Sequence, residues 1–135
     1  MIGDDTGSDK KGRNILIGGT DADRLTGSSG DDILIAGSTD FDANDAALRA
    51  ILAEWSSLLP SHVYATRVQN LRDGTGSGDR LNGAFFLTAA TVHDDAAVDT
   101  LTGKKALDWF LARTAQPTLD LLTDRVLGTE LADAI

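Results

Sequence analysis

The chain has 135 residues, no cysteine and a net charge of −9, from 21 acidic and 12 basic residues. This acidic surplus repels nucleic acid and anionic membranes and attracts cations. The absence of cysteine excludes disulfides and thiolate metal sites. No apolar run approaches the ~18 residues of a membrane span, and residues 1–13 lack the apolar stretch of a secretory signal peptide. So abrupt an acidic start suggests a piece of a longer protein.

A nine-residue period begins at Asp9. Three successive nonapeptides read DKKGRNILI, GGTDADRLT and GSSGDDILI. The sixth position holds Asn14, Asp23 and Asp32, and the eighth position holds leucine each time. An incomplete unit before them places Asp5 at the same sixth position.

The pattern G-G-x-G-x-D-x-U-x, in which U is a large apolar residue, is typical of a calcium-binding parallel β-helix. Its glycines permit positive φ angles and leave carbonyl oxygens facing the cleft between stacked turns. Its aspartate adds a carboxylate to the same cleft, and Ca²⁺ prefers such mixed oxygen ligands. The sequence therefore predicts a mainly β protein, a short right-handed parallel β-roll with one or two inserted or capping α-helices.

Successive turns of such a roll fall on opposite sides, so Asn14 should stack with Asp32, and Asp5 with Asp23. Residues 36–42 are a candidate continuation of the second stack. The candidate ligands combine sixth-position residues with residues at the glycine positions of the loops: Asp5, Asn14, Gly18, Asp21, Asp23, Gly30 and Asp32. Turn formation, which Asp and Gly also favour, is the alternative, but the nine-residue phase favours ligation. Because unpaired carboxylates repel, metal binding should drive folding.

A helical pattern interrupts the repeats at residues 41–59. Asp42 or Asn44 can cap this helix, and Pro60 ends it. Its apolar stripe consists of Leu48, Ile51, Leu52, Trp55 and Leu59. We expect the stripe to pack on the roll and cover residues such as Ile33 or Ile35; the alternative is a docking surface for another protein. A second, shorter helix is predicted over residues 62–71.

Degraded repeats follow the helices. Residues 79–83 (DRLNG) and 99–103 (DTLTG) echo residues 23–27 (DRLTG), and the nonapeptide GKKALDWFL places Asp108 where Asp32 lies. In that nonapeptide lysines and alanine replace glycines, so Asp108 is expected to contribute little to metal binding. Asp79, Asp99 and Asp108 are candidate ligands, but the pattern favours turn capping for them at least as much as ligation.

The chain is expected to form a single domain. Its four parts are calcium-binding repeats (1–40), a helical insertion (41–73), degenerate repeats (74–112) and a C-terminal tail (113–135), which the sequence does not place.

The sequence contains few of the residue patterns that are typical of enzyme active sites. His62 and His93 are the only histidines, too few for a typical metal-hydrolase cluster, and no G-x-S-x-G motif is present. The glycine-rich residues 74–78 lack the lysine of a phosphate loop. An EF-hand would need an oxygen ligand where Leu25 stands. We therefore expect that the chain is not an enzyme.

The stretch GGTDADRLT-GSSGDDILI resembles the RTX, or haemolysin-type, calcium-binding proteins of bacteria. The features after it, FDAN, a Trp-ending helix, YATRV, DRLNG-x-FFL, DTLTG and LDWF, are similar to the closing region of large secreted proteins in that group. The resemblance implies Ca²⁺ as cofactor, type I secretion with an uncleaved C-terminal signal, and an extracellular or cell-surface location. It implies a structural module; an adhesive, self-associating module or an accessory domain of an extracellular enzyme are the alternatives, with the rest of a parent chain as a further partner.

Overall fold

The computed structural model describes residues 2–3, 12–117 and 119–135. The strands are β1 (Ile2–Gly3), β2 (Asn14–Ile17), β3 (Arg24–Thr26), β4 (Ile33–Ile35), β5 (Ser38–Thr39), β6 (Val92–His93), β7 (Thr100–Thr102), β8 (Trp109–Ala112), β9 (Leu121–Leu122) and β10 (Leu131–Ala134). The helices are α1 (Asp45–Trp55) and α2 (Tyr64–Arg72). The protein is therefore mainly β with two helices. Within the described ranges, no helix has the length and apolar character needed to span a membrane.

The strands form two main sheets. Sheet A has the order β1-β2-β4-β8-β10, sheet B has the order β3-β7-β9, and β5 pairs with β6 in a small third sheet. Neighbouring strands are parallel in sheets A and B, except that β1 pairs antiparallel with β2. Along the chain, β2, β3 and β4, and then β7 to β10, alternate between the two sheets. Consecutive repeats therefore contribute to different sheets, as the nine-residue pattern predicts.

The second half of the chain continues the register of the first half. Leu34 in β4 is level with Phe110 in β8, and Leu25 in β3 is level with Leu101 in β7. These pairings confirm the sequence echoes of residues 99–103 and of the nonapeptide that contains Asp108. The C-terminal tail supplies β9 and β10, whose pairing was not predicted.

Eighth-position side chains fill the space between sheets A and B. Leu34, Leu101 and Phe110 are fully buried in one cluster, and Leu25 and Leu122 pack against them. Side chains alternate between the two faces of a strand. Isoleucines on either side of Leu34 therefore point to the opposite face of sheet A, which needs its own cover.

The helical insertion supplies that cover. Ile51 and Trp55 of α1 form a second buried cluster with Ile33 and Ile35 of sheet A, and residues of α2 join it. The predicted packing of the helical stripe on this sheet is thus confirmed. Leu59 is an exception, because it is 42% exposed and lies outside the stripe.

Helix α1 is shorter than residues 41–59 at both ends. Asn44 is its cap and accepts a backbone amide at 3.1 Å. Asp42 accepts the backbone amide of Thr39 at 3.1 Å instead, so it belongs to the preceding turn. The helix ends at Trp55, before Pro60 could end it. Helix α2 lies within about two residues of its predicted bounds.

Two sequence expectations about the continuation of the repeats are wrong. Residues 36–42 do not extend sheet B, because Ser38–Thr39 pairs with Val92–His93 in the third sheet. Residues 79–83 form turns rather than a strand. There the backbone amide of Leu81 donates to Glu54 of α1 at 2.7 Å. This segment therefore belongs to the helical insertion, and sheets A and B resume only at β7.

Candidate metal centre

An acidic residue directly precedes every strand from β3 to β10 in sheets A and B, and Asn14 holds the equivalent position as the first residue of β2. We call this set the pre-strand residues: Asn14, Asp23, Asp32, Asp99, Asp108, Asp120 and Glu130. All of them except the half-buried Asp23 are buried. The repeat pattern predicts the first five. It does not predict Asp120 and Glu130.

The pre-strand residues of sheet A form a ladder of hydrogen bonds. The backbone amide of Asn14 donates to Oδ1 of Asp32 at 2.8 Å, and the amide of Asp32 donates to Oδ1 of Asp108 at 2.7 Å. The amide of Asp108 approaches Oε1 of Glu130 at 3.4 Å. Each carboxylate therefore binds the preceding turn of the stack, and the expected stacking of Asn14 with Asp32 is confirmed.

Sheet B carries a matching ladder. The amide of Asp23 donates to Oδ1 of Asp99 at 2.6 Å, and the amide of Asp99 donates to Oδ1 of Asp120 at 2.9 Å. Hydrogen bonds between turns thus repeat at the same position of every unit. The acidic sixth position is required for the stacking itself, whatever else it binds.

The last residue of each ladder forms hydrogen bonds within its own loop rather than with a further turn. The amides of Asp120 and Glu130 donate to the carbonyl oxygens of Arg113 and Val126, each at 3.0 Å. The second carboxylate oxygens accept the amides of the same two residues, at 2.7 Å from Arg113 and 2.6 Å from Val126. Asp120 and Glu130 have therefore used both carboxylate oxygens.

Burial disfavours the charged form of three ladder carboxylates, those of Asp32, Asp99 and Asp108. Burial raises the pKa of Asp108 to about 8, and the nearby carboxylates of Asp32 and Glu130 raise it further against the lowering effect of the hydrogen bond from the Asp32 amide. Burial also raises the pKa of Asp32 and Asp99 above the ordinary range. A bound cation would offset this penalty, because it favours the ionised carboxylate.

Within the two ladders, two buried carboxylate oxygens of the described residues have no hydrogen-bond partner: Oδ2 of Asp23 and Oδ2 of Asp108. Each faces the first glycine of its own repeat. A Cβ on Gly18 would lie 3.0 Å from Asp23 Oδ2, and one on Gly103 would lie 2.1 Å from Asp108 Oδ2. Unpartnered buried oxygens against bare backbone suit a hard cation such as Ca²⁺, so the residues present fit the metal that the repeats imply.

The loop before Asp108 keeps the left-handed positions of the repeat although lysine and alanine occupy them. Lys104 has φ +87°, close to Gly19 at +100°, and Ala106 has φ +73°, close to Asp21 at +71°. The left-handed backbone costs a residue with a Cβ roughly 1–2 kcal/mol. Lys104 and Ala106 therefore adopt the left-handed backbone found at the same two positions of an earlier repeat.

The other candidate ligands are not gathered into this arrangement. Asp79 lies in the helical insertion, 3.0 Å from His62. Asp21 is exposed, and the backbone amide of Gly30 donates to Ser28 Oγ at 3.2 Å. Asp5 lies outside the described residues. Among the residues that the structure describes, no three side chains of the His, Cys, Asp or Glu type form a group that could hold a metal ion. Most ligands would therefore have to be backbone carbonyls.

Asp120 and Glu130 were missed because the spacing lengthens near the C-terminus. Asp99 and Asp120 are 21 residues apart, and Asp108 and Glu130 are 22 apart, whereas Asn14 and Asp32 are 18 apart. Both residues could have been found from an acidic residue two positions before an apolar residue, if the nine-residue period had not been required.

Without divalent cations, the free energy of unfolding should fall as the pH rises from about 5 to 8. The folded protein keeps a proton on Asp108, whose pKa is about 8, whereas the unfolded chain loses it near 3.8. Stability falls with pH when the folded state binds more protons, here by up to about 1.4 kcal/mol per pH unit for one carboxyl. Urea titrations in chelator measure the slope. Asp108→Asn should reduce it, and a stability that rises with pH would contradict the assignment.

The comparisons with known proteins agree with the repeat pattern. The family model of the RTX calcium-binding nonapeptide repeat (4 copies) matches residues 10–40. Neither the curated proteins nor the solved structures include a significant match. The matched residues contain the first pre-strand residues of both ladders. Strand pairing carries the same arrangement through β7 to β10, beyond the match.

Proposed function

Because residues 10–40 are RTX calcium-binding nonapeptide repeats, we propose that the chain is a calcium-binding structural module rather than an enzyme. The observation that carries this proposal is the pair of ladders of buried carboxylates, in which Asp23 and Asp108 each keep one buried oxygen without a partner. Protein groups leave these two oxygens without a hydrogen-bond partner, and a calcium ion would bind them.

The proposed fold is a short right-handed parallel β-roll, interrupted once by the helical insertion. Alternation of consecutive strands between two parallel sheets supports it, as does the leucine-rich cluster between the sheets. On this proposal β7 to β10 are further turns of the same roll, although their loops have lost most glycines.

In this proposal, calcium lies between loops that are stacked on the same side of the roll. Asp32 and Asp108 would contribute carboxylates on one side, with Asn14 supplying an amide oxygen, and Asp23 and Asp99 would contribute on the other. Backbone carbonyls of the glycine-bearing loops would complete the six to eight oxygens that Ca²⁺ takes. When bound, the metal supplies positive charge and cross-links successive turns.

A secreted location follows from the same proposal. RTX repeat proteins are typically extracellular, where calcium is abundant, and metal binding would then couple folding to export. Type I secretion is the route that the resemblance implies. The absence of cysteine is compatible with any compartment.

A calcium titration with paired melting curves tests the proposal. We expect millimolar Ca²⁺ to raise β-structure in circular dichroism and to increase thermal stability, by about 2.7 kcal/mol at a concentration of 100 times Kd. Mg²⁺ should do much less, because it demands octahedral geometry and keeps its waters. Titration calorimetry on the same sample gives the affinity. Identical melting curves in chelator and in Ca²⁺ would refute the proposal.

A further inference from the structure

Asp31, the neighbour of Asp32, joins the helical insertion to the candidate metal centre. Its Oδ2 accepts a hydrogen bond from Nη2 of Arg67 at 2.5 Å, and its Oδ1 accepts the backbone amide of Leu107 at 3.0 Å. Its backbone carbonyl accepts Nε1 of Trp55 at 2.8 Å. The Asp31 carboxylate thus joins the helical insertion, through Oδ2, to the loop before β8, through Oδ1.

Arg67 is itself held by other contacts. It is 2% exposed, its Nη1 donates to the carbonyl of Trp55 at 2.8 Å, and its Nε donates to the carbonyl of His62 at 3.1 Å. Its guanidinium lies over the Trp55 ring at 4.7 Å. A planar guanidinium fixed in this way can hold a carboxylate in one position.

The bond from Asp31 reaches the next loop of the same stack. Asp31 precedes β4 and Leu107 precedes β8, and each is followed directly by a pre-strand residue. The Asp31 carboxylate points forward to Leu107, whereas the Asp108 carboxylate points back to the amide of Asp32. These two bonds of opposite direction hold residues 27–32 and 103–108 against each other.

We propose that Arg67 is a positioning residue of the calcium site, acting through Asp31 to fix the spacing of the two loops that carry Asp32 and Asp108. This inference rests on the proposed function, and it gives the helical insertion a role beyond covering sheet A. The insertion contacts this site through Tyr64, whose hydroxyl donates to the Asp108 carbonyl at 2.7 Å, and Arg67 would add control over the spacing of its loops. Without Arg67, Asp31 keeps only the longer ion pair with Arg13 Nε at 3.7 Å, so its carboxylate is no longer fixed against the Leu107 amide and the loops lose their preorganised spacing.

A double-mutant cycle on the whole chain tests this role. The variants are Arg67→Met, Asp31→Asn and the double variant, with Arg72→Met as matched control. Arg72 lies in the same helix as Arg67, and its guanidinium also lies over a tryptophan ring and binds a carboxylate. That carboxylate belongs to Asp133 of β10 rather than to Asp31. The readouts are calcium affinity by calorimetry and, in chelator, hydrogen exchange of the Leu107 amide.

We expect Arg67→Met to weaken calcium binding about tenfold in the natural background and less than about twofold in the Asp31→Asn background, since a hydrogen bond to a charged group is worth roughly a decade in affinity. Exchange at Leu107 should speed up in both single variants and stay unchanged in Arg72→Met. If Arg67→Met does not fold, Arg67→Lys, which keeps the charge and loses the planar fork, should show the same pattern with a smaller loss.

An equal loss of affinity in both backgrounds, or unchanged exchange at Leu107, would overturn the positioning role alone. Failure of the unaltered chain to bind calcium would overturn the proposed function and this inference together. The exchange measurement, which needs no calcium, separates the two cases.

Discussion

Replacing Trp55 by alanine is expected to lower the free energy of unfolding by about 3–5 kcal/mol, as for other large aromatic side chains in cores. Trp55 is fully buried, its ring packs against Tyr64 and Trp109, and its Nε1 donates to the Asp31 carbonyl. The substitution would leave a cavity between α1 and sheet A and an unpartnered carbonyl. Urea denaturation measures the change.

Leu58→Ala is the matched control, because Leu58 lies just after the helix and is 87% exposed. It should change stability by less than about 0.5 kcal/mol.

Fluorescence of Trp55 gives a second check on the burial of α1. In a Trp109→Phe background, Trp55 of the monomer should emit at blue-shifted wavelengths. Water-exposed emission that shifts only on binding of a partner would favour a docking surface and count against the cover.

Replacing Asp32 by alanine is expected to weaken calcium binding by about tenfold or more. Asp32 is fully buried and accepts the backbone amides of Asn14 and Ser28, so its loss also removes the link between the first two turns of sheet A. Asp79→Ala is the control, because the Asp79 carboxylate contacts the insertion instead. Calorimetric titration of both variants measures the two losses of calcium affinity. Comparable losses would mean that the ladder does not define the site.

The structure changes the expectation for Asp108→Ala. Lysines and alanine replace glycines at positions 104–106 of its loop, which predicts a small effect. The left-handed Lys104 and Ala106 preserve the loop, however, and Asp108 keeps a buried oxygen without a partner. We now expect Asp108→Ala to weaken calcium binding as much as Asp32→Ala does, and a much smaller loss would restore the distinction drawn from glycine content.

Much of the stack could be predicted from sequence, because its unit is local: a pre-strand acidic residue with an apolar residue two positions later. This pattern located Asp99 and Asp108 across an interruption. It failed at residues 79–83, whose DRLNG differs from the DRLTG of residues 23–27 at one residue. The first forms turns held by Glu54, and the second enters a strand paired with β7. Short strands are determined by their neighbours rather than by their own residues.

The pairing of β5 with β6, on either side of the helical insertion, has a consequence for how the chain folds. Asp32 and Asp108 are bonded across 76 residues, against 18 for Asn14 and Asp32, and loop-closure entropy alone makes the longer contact about 1.3 kcal/mol harder to form. The pairing of Ser38–Thr39 with Val92–His93 brings the two ends of the insertion together. Once that pairing and the helices form, β4 and β7 are joined by a short effective connection. We therefore expect the pairing of β5 with β6 to form before the non-local pairing of β4 with β8, because it shortens the effective loop that the second pairing must close.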